Sequence, residues 1–343
     1  MQEVRGEKSR TFVWPGVHAE TGENARVLSR PTRKAFVLTD RNCIEIARRV
    51  GMSLQQSHFV ALGCAVPPGR GRPSPAALQQ IDERLNRLGT DSTCVVAVGG
   101  TPLMHLGSSL AARFGGRLPL FLVPTSLRAQ LDSSVGGASC CPIGGRWQPP
   151  VAVFSDPTVL ATLPLRDYVA GLAEAVKFAM IADGEIIPFL QENQMAIRDR
   201  APGPLEELTY RCANSKAAAV DASPETLRAL EYGHVVGRAL ERLGGAAILH
   251  GEALAVGLEA EAFLARALGW ADKDLPAVQN RLLKAFGLPT RVRGLSPDPL
   301  LRTLQGKGGP PEFVLPDLPG HPHGRVKPPP ALLKAAVEAV TRG

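Results

Sequence analysis

Two of the chain's seven histidines, His234 and His250, sit in one apolar stretch, ALEYGHVVGRALERLGGAAILHGEAL. Each has a glycine for a neighbour. Upstream, GLAEAVK sets Glu174 and Lys177 three residues apart, on one face of a helix. A charge left unpaired among Ala, Val and Leu would be costly. One carboxylate and two imidazoles form the donor set of a catalytic zinc-type site with a position open for substrate. Spacing alone leaves a second reading open, in which each histidine is an ordinary core or surface residue. A third feature, VVAVGGTPLMHLG, puts glycines at a strand-to-helix turn, where backbone N–H groups can approach a phosphate. Tight turns use glycine for backbone reasons too, so the pair does not decide by itself.

The elements that would position these residues fall into two parts. KAFVLTD (34–40), HFVALG (58–63), TCVVAVGG (93–100), LPLFLVPTS (118–126) and VAVFSD (151–156) are short apolar runs that read as buried strands. Helical patterns alternate with them, as in NCIEIARRVG and AALQQIDERLNRLG, which predicts a Rossmann-like α/β nucleotide-binding domain over residues 1–160. From 161 to 343 the apolar period becomes helical, with helices expected over 166–182, 204–221, 225–243, 247–268 and 275–286. A mostly α-helical metal-binding domain follows. EFVLP (312–316) reads as a late strand, PALLKAAVEAVTR as a closing helix, and HPH (321–323) as a solvent loop.

Composition narrows the function classes. The net charge is +7, and only nine of 39 basic residues are lysine, with the arginines scattered. That spread argues against nucleic acid and fits a small anionic substrate drawn into a cationic cleft. No apolar run approaches the roughly 20 residues that span a bilayer, and no secretory h-region opens the chain, so a cytoplasmic enzyme is expected. The six cysteines, with Cys140 and Cys141 adjacent, show no CxxC spacing and read as reduced thiols.

The motifs TDRN (39–42), VAVGG (96–100), VPTSLRAQLDSSVGG (123–137), ATLPLRD (161–167), GLAEAVK (171–177), EYGH (231–234), LHGEA (249–253) and EFVLP occur in this order along nearly the whole chain. In that order they resemble 3-dehydroquinate synthase and the other sugar phosphate cyclases. The resemblance implies that Glu174, His234 and His250 ligate a divalent metal, zinc first and cobalt second. It implies NAD contacts at Asp40, Asn42, Gly99, Gly100, Thr125, Ser126, Asp132, Thr162, Leu163 and Asp167. It places Lys177, Lys216, Arg228, Glu231, Arg238 and Lys307 at the substrate. It further implies a homodimer. The implied chemistry is transient oxidation of a substrate hydroxyl, elimination of phosphate, return of the hydride and an aldol closure to a carbocycle.

Departures from the family pattern cluster at this site. Ala138 stands where the family has a phosphate-gripping lysine, and the following loop, ASCCPIGGRWQPP, has lost its Gly-Lys-Asn. Thr101 replaces the third glycine of the turn and His105 an aspartate. Ser126 replaces a threonine and Asp167 a glutamate. Arg238 replaces the second histidine of GHxxGH, and the C-terminal Asp-Lys-Lys is reduced to GKG around Lys307. Removing one charged hydrogen-bond donor from a bound phosphate costs ~1.5–3 kcal/mol, so Arg238, Arg146 and Arg117 are expected as replacements. Glu231, in LEYGH, resembles the 2-deoxy-scyllo-inosose synthases, whereas DSSVGG resembles the dehydroquinate and aminodehydroquinate branch. Three readings follow: a cyclase with an altered substrate, a non-catalytic or partner-dependent homologue, and an iron-type polyol dehydrogenase. The motif order favours the first.

Overall fold

The computed structural model describes residues 1–69, 73–136, 147–306 and 311–341. Its chain divides into two compact units, Met1–Leu163 with Pro202–Asp221, and Pro164–Ala201 with Ala222–Gly343.

The first unit holds a seven-stranded sheet of β1 (Gln2–Arg5), β2 (Arg10–Val13), β3 (Lys34–Asp40), β4 (Val60–Val66), β5 (Thr93–Gly99), β6 (Leu120–Pro124) and β7 (Ala152–Ser155). The strand order is β1-β2-β7-β6-β5-β3-β4. Only β1 runs antiparallel, to β2; the remaining pairs are parallel. Parallel strands need a crossover between them, and the expected helices Ile44–Gln56, Pro75–Leu88 and Thr101–Arg113 supply it. Successive strand residues face opposite sides, so the sheet has two cores. Phe36, Leu38, Val95 and Ala97 pack under Ile81, Leu85, Leu106 and Leu110. Ala35, Val37, Val96 and Val98 pack with Val50 and Leu54 on the other side.

The second unit is largely helical, as its 3.6-residue period predicts. Its main helices are Leu165–Ile181, His234–Gly244, His250–Ala267, Leu275–Ala285 and Pro330–Thr341. Val236, Leu240, Val256, Leu264 and Val337 form its core with Phe313 and Leu315. Phe313 and Leu315 come from β8 (Phe313–Leu318), which pairs with β9 (His321–Val326).

Three expectations change. The helix expected over 225–243 is two helices, Pro224–Ala229 and His234–Gly244, because Gly233 takes φ +80° and turns the chain between them. The HPH segment is an exposed strand of a hairpin, where β9 pairs with β8, rather than a loop. The helix Pro202–Ala222 lies beyond residue 160 in sequence, yet its residues to Asp221 belong to the first compact unit. Val135 there packs with Ala213 and Ala217.

Candidate metal centre and nucleotide turn

Glu174 lies in the middle of the helix Leu165–Ile181, His234 opens the helix His234–Gly244, and His250 opens the helix His250–Ala267. One possible ligand atom from each lies within 4.8 Å of the other two, the only such set found among the described residues. The two imidazole centroids are 5.3 Å apart.

Glycine makes this convergence possible. A Cβ on Gly251 would stand 1.8 Å from the carbonyl oxygen of Ala170, in the helix that carries Glu174. A Cβ on Gly257 would stand 2.0 Å from the carbonyl oxygen of Gly233, beside His234. Real side chains do not tolerate such distances. Hydrogen on Cα at these two positions lets the His250 helix approach both of the other ligand-bearing backbones. Glu261, from the same helix and fully buried, accepts from the N–H of Gly233 at 2.7 Å and of Val236 at 3.3 Å. It thereby caps the start of the His234 helix. Burial pushes the Glu261 carboxyl up to about 8, against the pull of these backbone donors.

The electrostatics suit a metal. Burial alone would raise the Glu174 carboxyl, but Lys177, His250 and His234 outweigh it and hold it well below its ordinary value. The Lys177 Nζ is 2.7 Å from Glu174 Oε2, and both side chains are almost fully buried. Burial, then the Lys177 charge, pushes His234 well below its ordinary value, so the ring is neutral and its lone pair available. Each imidazole also has its Nδ1 engaged. His234 Nδ1 lies 3.3 Å from the carbonyl of Tyr232. His250 Nδ1 lies 3.1 Å from Glu241 Oε1, while its Nε2 faces Glu174 Oε1 at 3.3 Å. A carboxylate on the far nitrogen fixes the tautomer and raises the basicity of a metal-binding histidine. The sequence motifs do not single out Glu241. A signal is present in the spacing, since 234 and 241 are seven apart and share a helix face. The start of the His250 helix is held by Glu252, which accepts from Leu249 N–H at 2.9 Å and pairs with Arg166 at 2.6 Å.

Around this set, Glu231 and Arg238 form an ion pair with each other. Arg228 is half-exposed and lies 3.6 Å from the exposed Glu225. Asp167 is exposed in the first turn of its helix.

In the first unit, Asp40, Gly99 and Thr125 stand at the carboxyl ends of the neighbouring strands β3, β5 and β6, where α/β sheets bind ligands. Asp40 Oδ1 accepts from Asn42 N–H at 2.8 Å. Thr125 N–H donates to Gly99 at 2.9 Å, and its Oγ1 lies 3.2 Å from Cys43 Sγ. A Cβ on Gly100 would stand 3.5 Å from Ser126 Oγ, so those residues line one turn. Thr101 is spent internally, 2.8 Å from Ser133 Oγ. Asp132 pairs with the buried Lys216 at 2.7 Å. His105 is pushed down to about 4 by burial and by Arg128 and Lys216, with Asp132 opposing. Arg128 lies inside the motif VPTSLRAQLDSSVGG but is not among the site residues the resemblance assigns. Thr162 is exposed and Leu163 half-buried, and both are bonded back to their own turn, at Val159 and Leu160. Arg117 is exposed and donates to the carbonyl of Phe114 at 3.1 Å. Ala138, Arg146 and Lys307 lie outside the described residues.

A parallel sheet with glycines at its strand ends in one unit and a carboxylate-and-histidine set in the other are features shared with two-part enzymes that pair a dinucleotide with a metal. Within that class the sequence is specific. Residues 64–170 match the 3-dehydroquinate synthase N-terminal family and residues 171–307 the 3-dehydroquinate synthase C-terminal family. The 3-dehydroquinate synthase of Symbiobacterium thermophilum is 34% identical over 335 residues, covering 93% of this chain and 94% of that one. That of Pyrobaculum neutrophilum is 33% identical, covering 76% of this chain and 83% of that one. The chain belongs to the 3-dehydroquinate synthase family. The fold agrees. A 2-deoxy-scyllo-inosose synthase complexed with carbaglucose-6-phosphate, NAD+ and Co2+ superposes with a TM-score of 0.86 at 19% identity, over 99% of both chains. The 2-epi-5-epi-valiolone synthase of Streptomyces hygroscopicus subsp. jinggangensis, with NAD+ and Zn2+, gives 0.82 at 20% identity, covering 99% of this chain and 98% of that one. A glycerol dehydrogenase from Schizosaccharomyces pombe gives 0.69 at 17% identity, covering 98% of this chain and 89% of that one. No described helix is long and apolar enough to cross a membrane.

Proposed function

We propose that the chain is a metal- and NAD-dependent cyclase that converts a sugar phosphate to a carbocycle with loss of phosphate, on a substrate altered from that of its curated relatives. The observation that carries this reading is the convergence of Glu174, His234 and His250 beside Lys177 in a chain of this family. The donor set fits a divalent cation, for which we propose zinc and then cobalt: one buried ionised carboxylate and two imidazoles, each with its Nδ1 already engaged. The strand ends fit NAD, with Gly99 and Gly100 for the pyrophosphate and Asp40 and Asn42 for a ribose. When bound, these groups supply Lewis acidity at a substrate oxygen and a reversible hydride acceptor.

The chain's own residues do the rest. Lys177 holds Glu174 ionised and keeps its ammonium donors beside the carboxylate that would hold the metal. Glu241 holds His250 in the tautomer that presents Nε2. Asp132 fixes the ammonium of Lys216, which we assign to the substrate's anionic and hydroxyl groups. Substrate alteration is supported by His105 and Arg238, where the family has an aspartate and a histidine. A cytoplasmic homodimer is the matching proposal for its setting.

The test is direct. Zinc-loaded protein with NAD is offered six- and seven-carbon sugar phosphates, and phosphate release, carbocycle and NADH are followed. Phosphate and carbocycle without net NADH support the cyclase. NADH that accumulates with a plain polyol moves the reading to the dehydrogenases, whose solved structures superpose less well. Neither product from any substrate leaves a homologue that has lost catalysis or needs a partner.

A further inference from the structure

On the helix His234–Gly244, residues 234, 238 and 241 share one face. His234 is in the metal set and Glu241 touches the Nδ1 of His250, so Arg238 stands between two residues of that centre. Its charge is felt at His234, which it helps to hold neutral. Glu231, three residues before His234, pairs with Arg238 across the intervening turn. The two side chains are partly exposed, at 26% and 35%, so a ligand can reach them. From sequence, Arg238 is expected to replace a missing phosphate ligand. The pairing argues otherwise, because an anion at that guanidinium would face the Glu231 carboxylate.

We infer that Glu231 and Arg238 act as one neutral unit that selects hydroxyl groups of the substrate beside the metal centre and disfavours phosphate there. This rests on the cyclase reading for the substrate class. Guanidinium N–H groups and carboxylate oxygens lie side by side, donors next to acceptors. A hydroxyl is both donor and acceptor, and a pair of neighbouring hydroxyls matches such a wall. A phosphate is acceptor-rich and charged, and its attraction to the arginine is offset by its repulsion from the glutamate.

The experiment uses the zinc-loaded full chain and two probes that cannot turn over, inorganic phosphate and myo-inositol, titrated by calorimetry. Glu231→Gln unmasks the arginine, so phosphate should bind about tenfold tighter and inositol about tenfold weaker. Arg238→Gln leaves the Glu231 carboxylate unbalanced, so it should weaken inositol by about tenfold and weaken phosphate as well. The proposal is overturned if Glu231→Gln leaves phosphate binding unchanged, if neither variant changes inositol binding, or if the wild type does not bind inositol. Should a single variant fail to fold, the double Glu231→Asn/Arg238→His restores a neutral pair. It should match wild-type phosphate affinity, and a tenfold loss would again overturn the inference. Absence of turnover with every sugar phosphate, while these binding shifts stand, would sink the cyclase reading and not this one.

Discussion

In the helical unit, three ligand atoms stand within 4.8 Å of one another, with Glu174 held ionised and His234 held neutral. In the α/β unit the strand ends and the glycine turn stand without such a set, and the side chains around them are bound to one another. Thr101 is tied up with Ser133, and His105 sits neutral beside Arg128 and Lys216. The difference shows which parts of such an enzyme can drift. A metal centre is intolerant because it needs three donors at once, and losing one removes the ion. A nucleotide turn works largely through backbone N–H groups, which no substitution except proline deletes. A chain of this kind can therefore vary its side chains in the first unit while the donor set of the second stays fixed.

The largest effect should come from breaking the fixed part. His250→Ala leaves one carboxylate and one imidazole, too few to hold the ion. We expect zinc content to fall to background by mass spectrometry. Turnover should drop by about a thousandfold, since Lewis-acid stabilisation is worth several kcal/mol. Full zinc occupancy in that variant would mean the ligand set is misassigned. Next comes Glu241→Ala, which removes the carboxylate from His250 Nδ1 at 3.1 Å while sparing all three ligands. Zinc should bind about 10–100-fold more weakly, read by chelator competition. No change would demote Glu241 to a surface residue.

Much of this is legible in the sequence, and the limits have physical causes. Strands and helices show through their periods, because each segment buries one face or one stripe. Glu174, His234 and His250 show through identity and motif order. What sequence cannot show is which side chains pair. Glu231 and Arg238 both stand out in it, yet their mutual ion pair depends on the turn at Gly233. Glu241 looks like any polar helix residue until the His250 helix is docked against it. Half of the hairpin β8–β9 is hidden because HPHG carries proline and glycine, which signal a turn. Glycine beside a histidine signals close helix packing, but which backbones Gly251 and Gly257 meet shows only once the helices are docked.

That last point gives a smaller test of the fixed part. Gly257→Ala drives a methyl into the Gly233 carbonyl, which a Cβ would approach to 2.0 Å. Backbone cannot rotate away as a side chain can. The helices must part, at a cost of about 1–3 kcal/mol in denaturant unfolding. Because Gly233 precedes His234, zinc affinity should fall as well. A variant as stable as wild type would show that the two helices are less closely packed than the structure has them.

The smallest effect belongs to the α/β unit. His105 is pushed down to about 4, first by burial and then by the Arg128 and Lys216 charges. In the unfolded chain its ordinary value is about 6.5. Between those values the unfolded state holds a proton that the folded state refuses. Stability contributed by the neutral ring is therefore complete above about pH 6.5 and is lost as pH falls towards 4. Partial exposure of His105 limits the effect to on the order of 1 kcal/mol. His105→Gln, which cannot take up a proton, should flatten that part of the stability curve and leave the region above about pH 7 unchanged. Zinc should bind the variant as it binds wild type, since His105 is not a member of the ligand set. A curve that keeps its slope would place the protonation elsewhere, and the cationic surroundings of His105 would no longer account for the missing aspartate.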